Sequence, residues 1–119
     1  MTGSPWLVAV DLQRIFADPA SAWAAARFAE AAAGVERMLP VFDGRTVLTR
    51  FVAPGTPLGA WLDYYRQWPF ALVPRDSPFY ELADPFDGLG LPVETRTTFG
   101  KWDAALSAAI DGSRELVLA

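Results

Sequence analysis

The 119-residue sequence contains no cysteine and no histidine. Lacking cysteine, it has no disulfides, and cytoplasmic residence is the default expectation. Lacking both residues, it cannot build the usual zinc sites, because carboxylates alone favour harder cations. No metal or other cofactor is therefore expected. Ser-His-Asp and Cys-His catalysis are likewise excluded within this chain. Any acid–base work falls to Asp, Glu, Lys or Tyr.

Lysine is nearly absent too: of 10 basic residues only Lys101 is a lysine. Arg and Lys serve equally as surface charges, but only lysine offers a compact ammonium. There is no block of basic residues, and the net charge is −4 with a pI near 4.6. That balance leaves no electrostatic footprint for nucleic acid or for an anionic membrane. No apolar run reaches the roughly 18 residues that a spanning helix needs. The opening residues Met1-Thr2-Gly3-Ser4-Pro5 lack the basic and apolar regions of a signal peptide.

What is present points to one small folded domain, with 52% hydrophobic and 20% charged residues. Trp6-Leu7-Val8-Ala9-Val10 is a continuous apolar run, the mark of a strand buried on both faces, and it ends in Asp11. Asp18-Pro19 signals a helix start, followed at helical spacing by Ala24, Phe28, Ala31, Val35 and Leu39. Pro40 closes that helix, Asp43-Gly44 turns the chain, and Thr46–Thr49 reads as a second strand. This βαβ unit predicts an α/β fold with parallel strands and a right-handed crossover.

Residues 54–92 form a long connection rich in proline and aromatics, with one short helix expected over Gly59–Gln67. So long a connection is expected to bind or cover something. Its rings, Trp61 and Tyr64 among them, suit a pocket wall or a subunit contact, or simply pack the loop down. Val93–Thr97 predicts a third strand. A helix follows with an apolar stripe of Trp102, Ala105, Leu106, Ala109 and Ile110, stopped at Asp111-Gly112. Glu115–Ala119 reads as a fourth, buried-type strand that the sequence leaves unsupported. The expectation is that residues 1–119 are the N-terminal portion of a longer domain, with a sheet incomplete at its C-terminal end.

Binding crevices of open parallel sheets lie beyond the carboxyl ends of the strands. Asp11 occupies one such end, and Lys101 follows the third strand in Phe99-Gly100-Lys101-Trp102-Asp103. A cation in a first helical turn opposes the macrodipole, so a carboxylate or anion nearby would offset it. Near-neighbour first and third strands would bring the two side chains within roughly 8 Å, the reach of a shared site.

The ordered motifs resemble the isochorismatase-like cysteine hydrolase superfamily. Leu7-Val8-Ala9-Val10-Asp11-Leu12-Gln13, continuing to Phe16, resembles the family's opening strand and Asp-hydrophobic-Gln. Val47-Leu48-Thr49-Arg50 is similar to its second strand ending in Thr-Arg. Lys101-Trp102-Asp103-Ala104-Ala105-Leu106 resembles its lysine before a helix. The resemblance implies a Rossmann-like three-layer α/β/α fold and an Asp-Lys-Cys triad whose cysteine would lie beyond residue 119. Asp11 would take the thiol proton, and Lys101 would hold the carboxylate and thiolate in place. Family members are often dimers or larger, so a homo-oligomer acting on a small-molecule amide or related C–N bond is implied. Gln13, Phe16, Arg50 and Trp61 are candidate substrate contacts, Arg50 either for a substrate carboxylate or for a neighbouring loop.

The departures narrow the activity. Nicotinamide-hydrolysing relatives hold a metal with Asp-x-His after Thr-Arg, whereas Phe51-Val52-Ala53 follows Arg50 here. Isochorismatases proper cleave a vinyl ether without a cysteine nucleophile, and that alternative stays open. So does a catalytically inactive fragment or pseudoenzyme serving as an interaction module. An aspartyl-phosphate enzyme is a further alternative, although Leu12-Gln13 offers no second acid for Mg²⁺.

Overall fold

Leu7, Val8 and Ala9 are almost wholly buried in the centre of strand β1 (Trp6–Val10), as an apolar run covered on both faces requires. The computed structural model describes residues 4–113 and 115–119, so Met1-Thr2-Gly3 of the N-terminal reading and Arg114 lie outside the described residues. The chain continues through α1 (Arg14–Ala17), α2 (Phe28–Met38), β2 (Thr46–Phe51) and α3 (Ala60–Gln67). It closes with β3 (Val93–Arg96), α4 (Ala104–Ala109) and β4 (Leu116–Leu118).

The four strands form one sheet in the order β3-β2-β1-β4, every neighbouring pair parallel. Leu7, Ala9 and Leu48 pack on one face against Val35, Phe28, Ala32 and Met38 of α2. Val8 and Val47 pack on the other against Leu106 and Ile110 from α4 and its end. The period-2 alternation of the strands thus feeds two helical layers, giving the three-layer α/β/α arrangement. Each such fully buried aliphatic side chain contributes about 1.5–3 kcal/mol. No helix among the described residues is long and apolar enough to cross a membrane.

Two helices differ from their expected extents. Asp18 does not open α2: its carboxylate accepts from the Ala20 N–H at 2.9 Å, forming a local turn that competes with helix. Trp23 is drawn into an aromatic cluster, so α2 begins only at Phe28. Ala24 precedes the helix and Ala31 faces solvent. In α4, Asp103 is the N-cap and accepts from the Leu106 N–H at 2.9 Å. Trp102 therefore lies outside the helix, 61% exposed, and Ala105 is exposed as well.

The 54–92 connection packs against the carboxyl end of β2 at Phe51 and then returns to the start of that strand, where Leu89 and Leu91 lie near Gly44 and Thr46. Besides α3 it forms three 3₁₀ turns, Pro69–Ala71, Pro78–Tyr80 and Phe86–Gly88. Tyr65, Ala71 and Tyr80 are buried there with Ile15 and Phe51, and the Tyr80 hydroxyl donates to the Ala71 carbonyl. Burial raises the pKa of all three tyrosines, and that of Tyr65 reaches about 12, with Tyr80 and Tyr64 adding to the effect of burial. Folding therefore favours the neutral phenol: this stabilisation is full below about pH 10 and is lost as pH rises through the folded value. In a spectrophotometric alkaline titration, phenolate formation in the folded protein should lag that of the urea-unfolded chain. Coincident curves would contradict the buried packing.

Candidate functional site

Asp11 leaves the end of β1 with φ at 55°, a left-handed backbone that Asp tolerates better than most residues. Its backbone N–H donates to the Thr49 carbonyl and hydroxyl oxygens, each at 3.2 Å. The Thr49 hydroxyl in turn donates to Asp11 Oδ1 at 2.8 Å. This exchange follows from register, because Val10 pairs with Thr49 across β1 and β2. Asp11 Oδ2 faces Lys101 Nζ at 3.2 Å.

Lys101 arrives from the far side of β2. β1 and β3 are not adjacent; β2 lies between them, and the loop after β3 crosses its end. Phe99 makes the crossing, its ring 5.2 Å from that of Phe51. Lys101 Nζ donates to the carbonyls of Thr98 at 2.7 Å and Phe99 at 2.8 Å, and lies 5.6 Å from the Phe51 ring centroid. With Asp11 these carbonyls use all three ammonium donors, which is how a lysine only 8% exposed keeps its charge satisfied. A clasp secures the same loop: Arg96 Nη2 donates to Asp103 Oδ1 at 2.8 Å and Nη1 to Glu94 Oε2 at 3.2 Å. The Arg96 bond, helped by the Leu106 N–H, holds the Asp103 carboxyl down to about 2.

Asp11 borders a cavity of about 410 Å³ together with Val10, Leu12, Phe16, Arg27, Phe28 and Ala119 among others. It is largely apolar. Arg27 sits at its rim with Nε donating to Glu30 Oε2 at 3.0 Å. Asp11 thus carries a carboxylate oriented by a hydroxyl and an ammonium at the edge of a space the size of a small organic molecule, and such a group can accept and return a proton.

The other expected contacts separate. Phe16 lines the Asp11 cavity and stacks on Trp23 with centroids 6.2 Å apart. Trp61 does not line it; at 42% exposed, it ends an aromatic wall that reaches Lys101 through Phe99, 5.4 Å away. Gln13 does not line the Asp11 cavity. It is fully buried, donating to the carbonyls of Phe51 at 2.7 Å and Tyr80 at 2.8 Å and accepting from the Phe51 N–H at 2.7 Å. Arg50 does not line the Asp11 cavity either, because neighbouring strand residues point to opposite faces. Thr49 faces Asp11, and Arg50 lines a different cavity.

Thr49 and Phe99 are the residues that sequence reasoning missed. Strand register would have identified Thr49, while no sequence signal marks a carbonyl such as that of Phe99. Replacing Thr49 with valine should cost about 1.5–3 kcal/mol, the worth of one hydrogen bond to a charged group. An unchanged urea midpoint would contradict its role as the Asp11 anchor.

Comparison with solved structures establishes the fold. A cysteine hydrolase from Pseudomonas syringae pv. phaseolicola 1448A superposes with a TM-score of 0.81 at 14% identity, over 97% of this chain and 58% of that one. A protein of the isochorismatase family from Chromobacterium violaceum ATCC 12472 gives 0.61 at 20% identity, over 100% of this chain and 57% of that one. The chain thus has the α/β fold of these structures and spans less than two thirds of their length. No family model matches the sequence, and no curated protein matches it.

Proposed function

We propose that the chain supplies the Asp–Lys part of a hydrolase site that cleaves an amide or related C–N bond in a small molecule. The observation that carries this reading is the 3.2 Å pair of Lys101 Nζ and Asp11 Oδ2 beside an apolar cavity at the strand ends. The chain has no cysteine, and this reading takes its nucleophile from a segment beyond residue 119.

In the proposed reaction Asp11 takes the thiol proton, and Lys101 keeps the carboxylate in place and stabilises the thiolate. The thiolate adds to the carbonyl carbon, and backbone N–H groups hold the oxyanion. As the C–N bond breaks, the proton on Asp11 passes to the leaving nitrogen. Water then hydrolyses the thioester, returning its proton to the thiol through Asp11. Thr49 is a positioning residue, holding Oδ1 so that the carboxylate cannot rotate away.

A second reading needs no thiol: acid-catalysed vinyl ether cleavage. Protonated Asp11 donates to the vinyl carbon, and water adds to the resulting oxocarbenium ion and returns a proton to Asp11. The hemiketal then breaks its C–O bond to release the alcohol and a carbonyl product. Ammonia release from a panel of small amides, assayed on the full-length protein, tests the first. Asp11→Asn should lower turnover by roughly 10³-fold, within the range for a general base. Iodoacetamide should abolish turnover as well. Undiminished ammonia release in Asp11→Asn, or release that survives alkylation, defeats the first reading. Cleavage of a vinyl ether to its carbonyl product that survives alkylation and is lost in Asp11→Asn favours the second.

A further inference from the structure

The loop over 97–102, which carries Lys101 from β3 towards α4, has little to hold it by hydrogen bonding. Among the described residues, no backbone–backbone hydrogen bond begins or ends within it. The Thr98 hydroxyl donates to the Gly100 carbonyl at 2.6 Å, and the Lys101 ammonium donates to the carbonyls of Thr98 and Phe99. These bonds join the loop to itself. Arg96 and Asp103 clasp its base, and among the described residues Lys101 alone reaches a polar partner in the rest of the chain, Asp11. A segment held so lightly opens locally at low cost unless apolar contacts fasten it.

Phe99 supplies that fastening. Its ring centroid stands 5.2 Å from that of Phe51, 5.4 Å from Trp61, 5.8 Å from Tyr64 and 6.3 Å from Trp23. The last three meet it edge to face, at 87°, 77° and 76°, an arrangement that aromatic pairs favour. These rings belong to three segments: the end of β2, α3 and the residues ahead of α2. Phe51 also has Lys101 Nζ 5.6 Å from its centroid, so one ring backs both Phe99 and the ammonium. Phe99 itself remains 44% exposed and does not border the Asp11 cavity. It therefore neither fills the core nor meets what the cavity holds.

We propose that Phe99 is a positioning residue: its ring, gripped by Phe51, Trp61, Tyr64 and Trp23, sets the 97–102 loop so that the Lys101 ammonium stands against the Asp11 carboxylate. The inference rests on the reading of that pair as a hydrolase site. It also gives the aromatic part of the 54–92 connection a task there. α3 grips the loop that carries the lysine, and Trp61 acts on the site only through Phe99.

The test combines chemical labelling of Lys101 with steady-state kinetics, both on the full-length protein. Acetic anhydride acylates an amine it can reach, and peptide mass mapping reads the modification of Lys101 with no substrate present. In the wild type labelling should be slow, because the side chain is 6% exposed. Phe99→Ala should speed it by about tenfold or more as the loop opens locally. Phe99→Tyr keeps the ring and should label as slowly as wild type. So should Val35→Ala, which loosens a core cluster that contains no residue of the loop. In turnover, Phe99→Ala should lower kcat by roughly 10²-fold and leave KM within about twofold, and Phe99→Tyr should restore kcat. Labelling of Phe99→Ala at the wild-type rate overturns the proposal. Equally fast labelling in Val35→Ala overturns it too, since protection would then follow overall stability. Absent amide turnover together with fast labelling in Phe99→Ala alone would defeat the hydrolase reading and still support the positioning of Lys101 by Phe99.

Discussion

Replacing Gln13 with leucine should destabilise the protein by about 4 kcal/mol. The substitution keeps the volume but strands three buried backbone groups: the N–H and C=O of Phe51 and the C=O of Tyr80, now bonded at 2.7–2.8 Å. Each buried group left unsatisfied costs about 1–3 kcal/mol, against a total stability of only about 5–15 kcal/mol. Gln13→Glu should be no better, since a carboxylate cannot donate to either carbonyl. Urea denaturation checks this directly. A midpoint within about 1 kcal/mol of wild type would instead support the reading of Gln13 as a substrate contact, which predicts a changed KM and little change in stability.

Lys101→Met should cost about 3–5 kcal/mol in stability and eliminate turnover. Its side chain is 6% exposed and that of Asp11 17%, so removing the ammonium leaves a mostly buried carboxylate with Thr49 as its remaining side-chain partner. The sequence alone suggests that Lys101→Ala would abolish turnover and leave folding intact. The two carbonyls of Thr98 and Phe99, which also depend on this ammonium, change that expectation. Lys101→Arg separates the two roles. A guanidinium restores charge and part of the stability, but its planar fork does not fit three partners around one nitrogen, so turnover should stay low. Denaturant midpoints and initial rates, measured on the same samples, check both. Full activity in Lys101→Arg would show that charge alone suffices.

The parts legible in the sequence were those set by period and punctuation. The run at Trp6–Val10 gave β1 and put Asp11 at a strand end, and the βαβ pattern gave parallel pairing of β1 with β2. What stayed hidden depended on partners distant in sequence. Asp18 carries the same helix-start signal whether or not its carboxylate folds back on Ala20, and the pull on Trp23 comes from rings such as Phe70, 5.0 Å away. The Thr-Arg pair at the end of β2 drew attention to Arg50, although period 2 allows only one of two adjacent residues to face Asp11. Gln13 follows a strand, where the sequence offers it as a substrate contact, and nothing local announces the three backbone groups it bonds, one of them 67 residues away.

The central claim is that Asp11 and Lys101 act as one unit, and a double-mutant cycle on turnover of the full-length protein measures it. Asp11→Asn and Lys101→Met should each lower turnover by roughly 10³-fold or more, and the double variant should be no slower than the slower single. Losses that multiply in the double variant would mean that the two residues act independently, and the 3.2 Å pair would then be structural rather than catalytic.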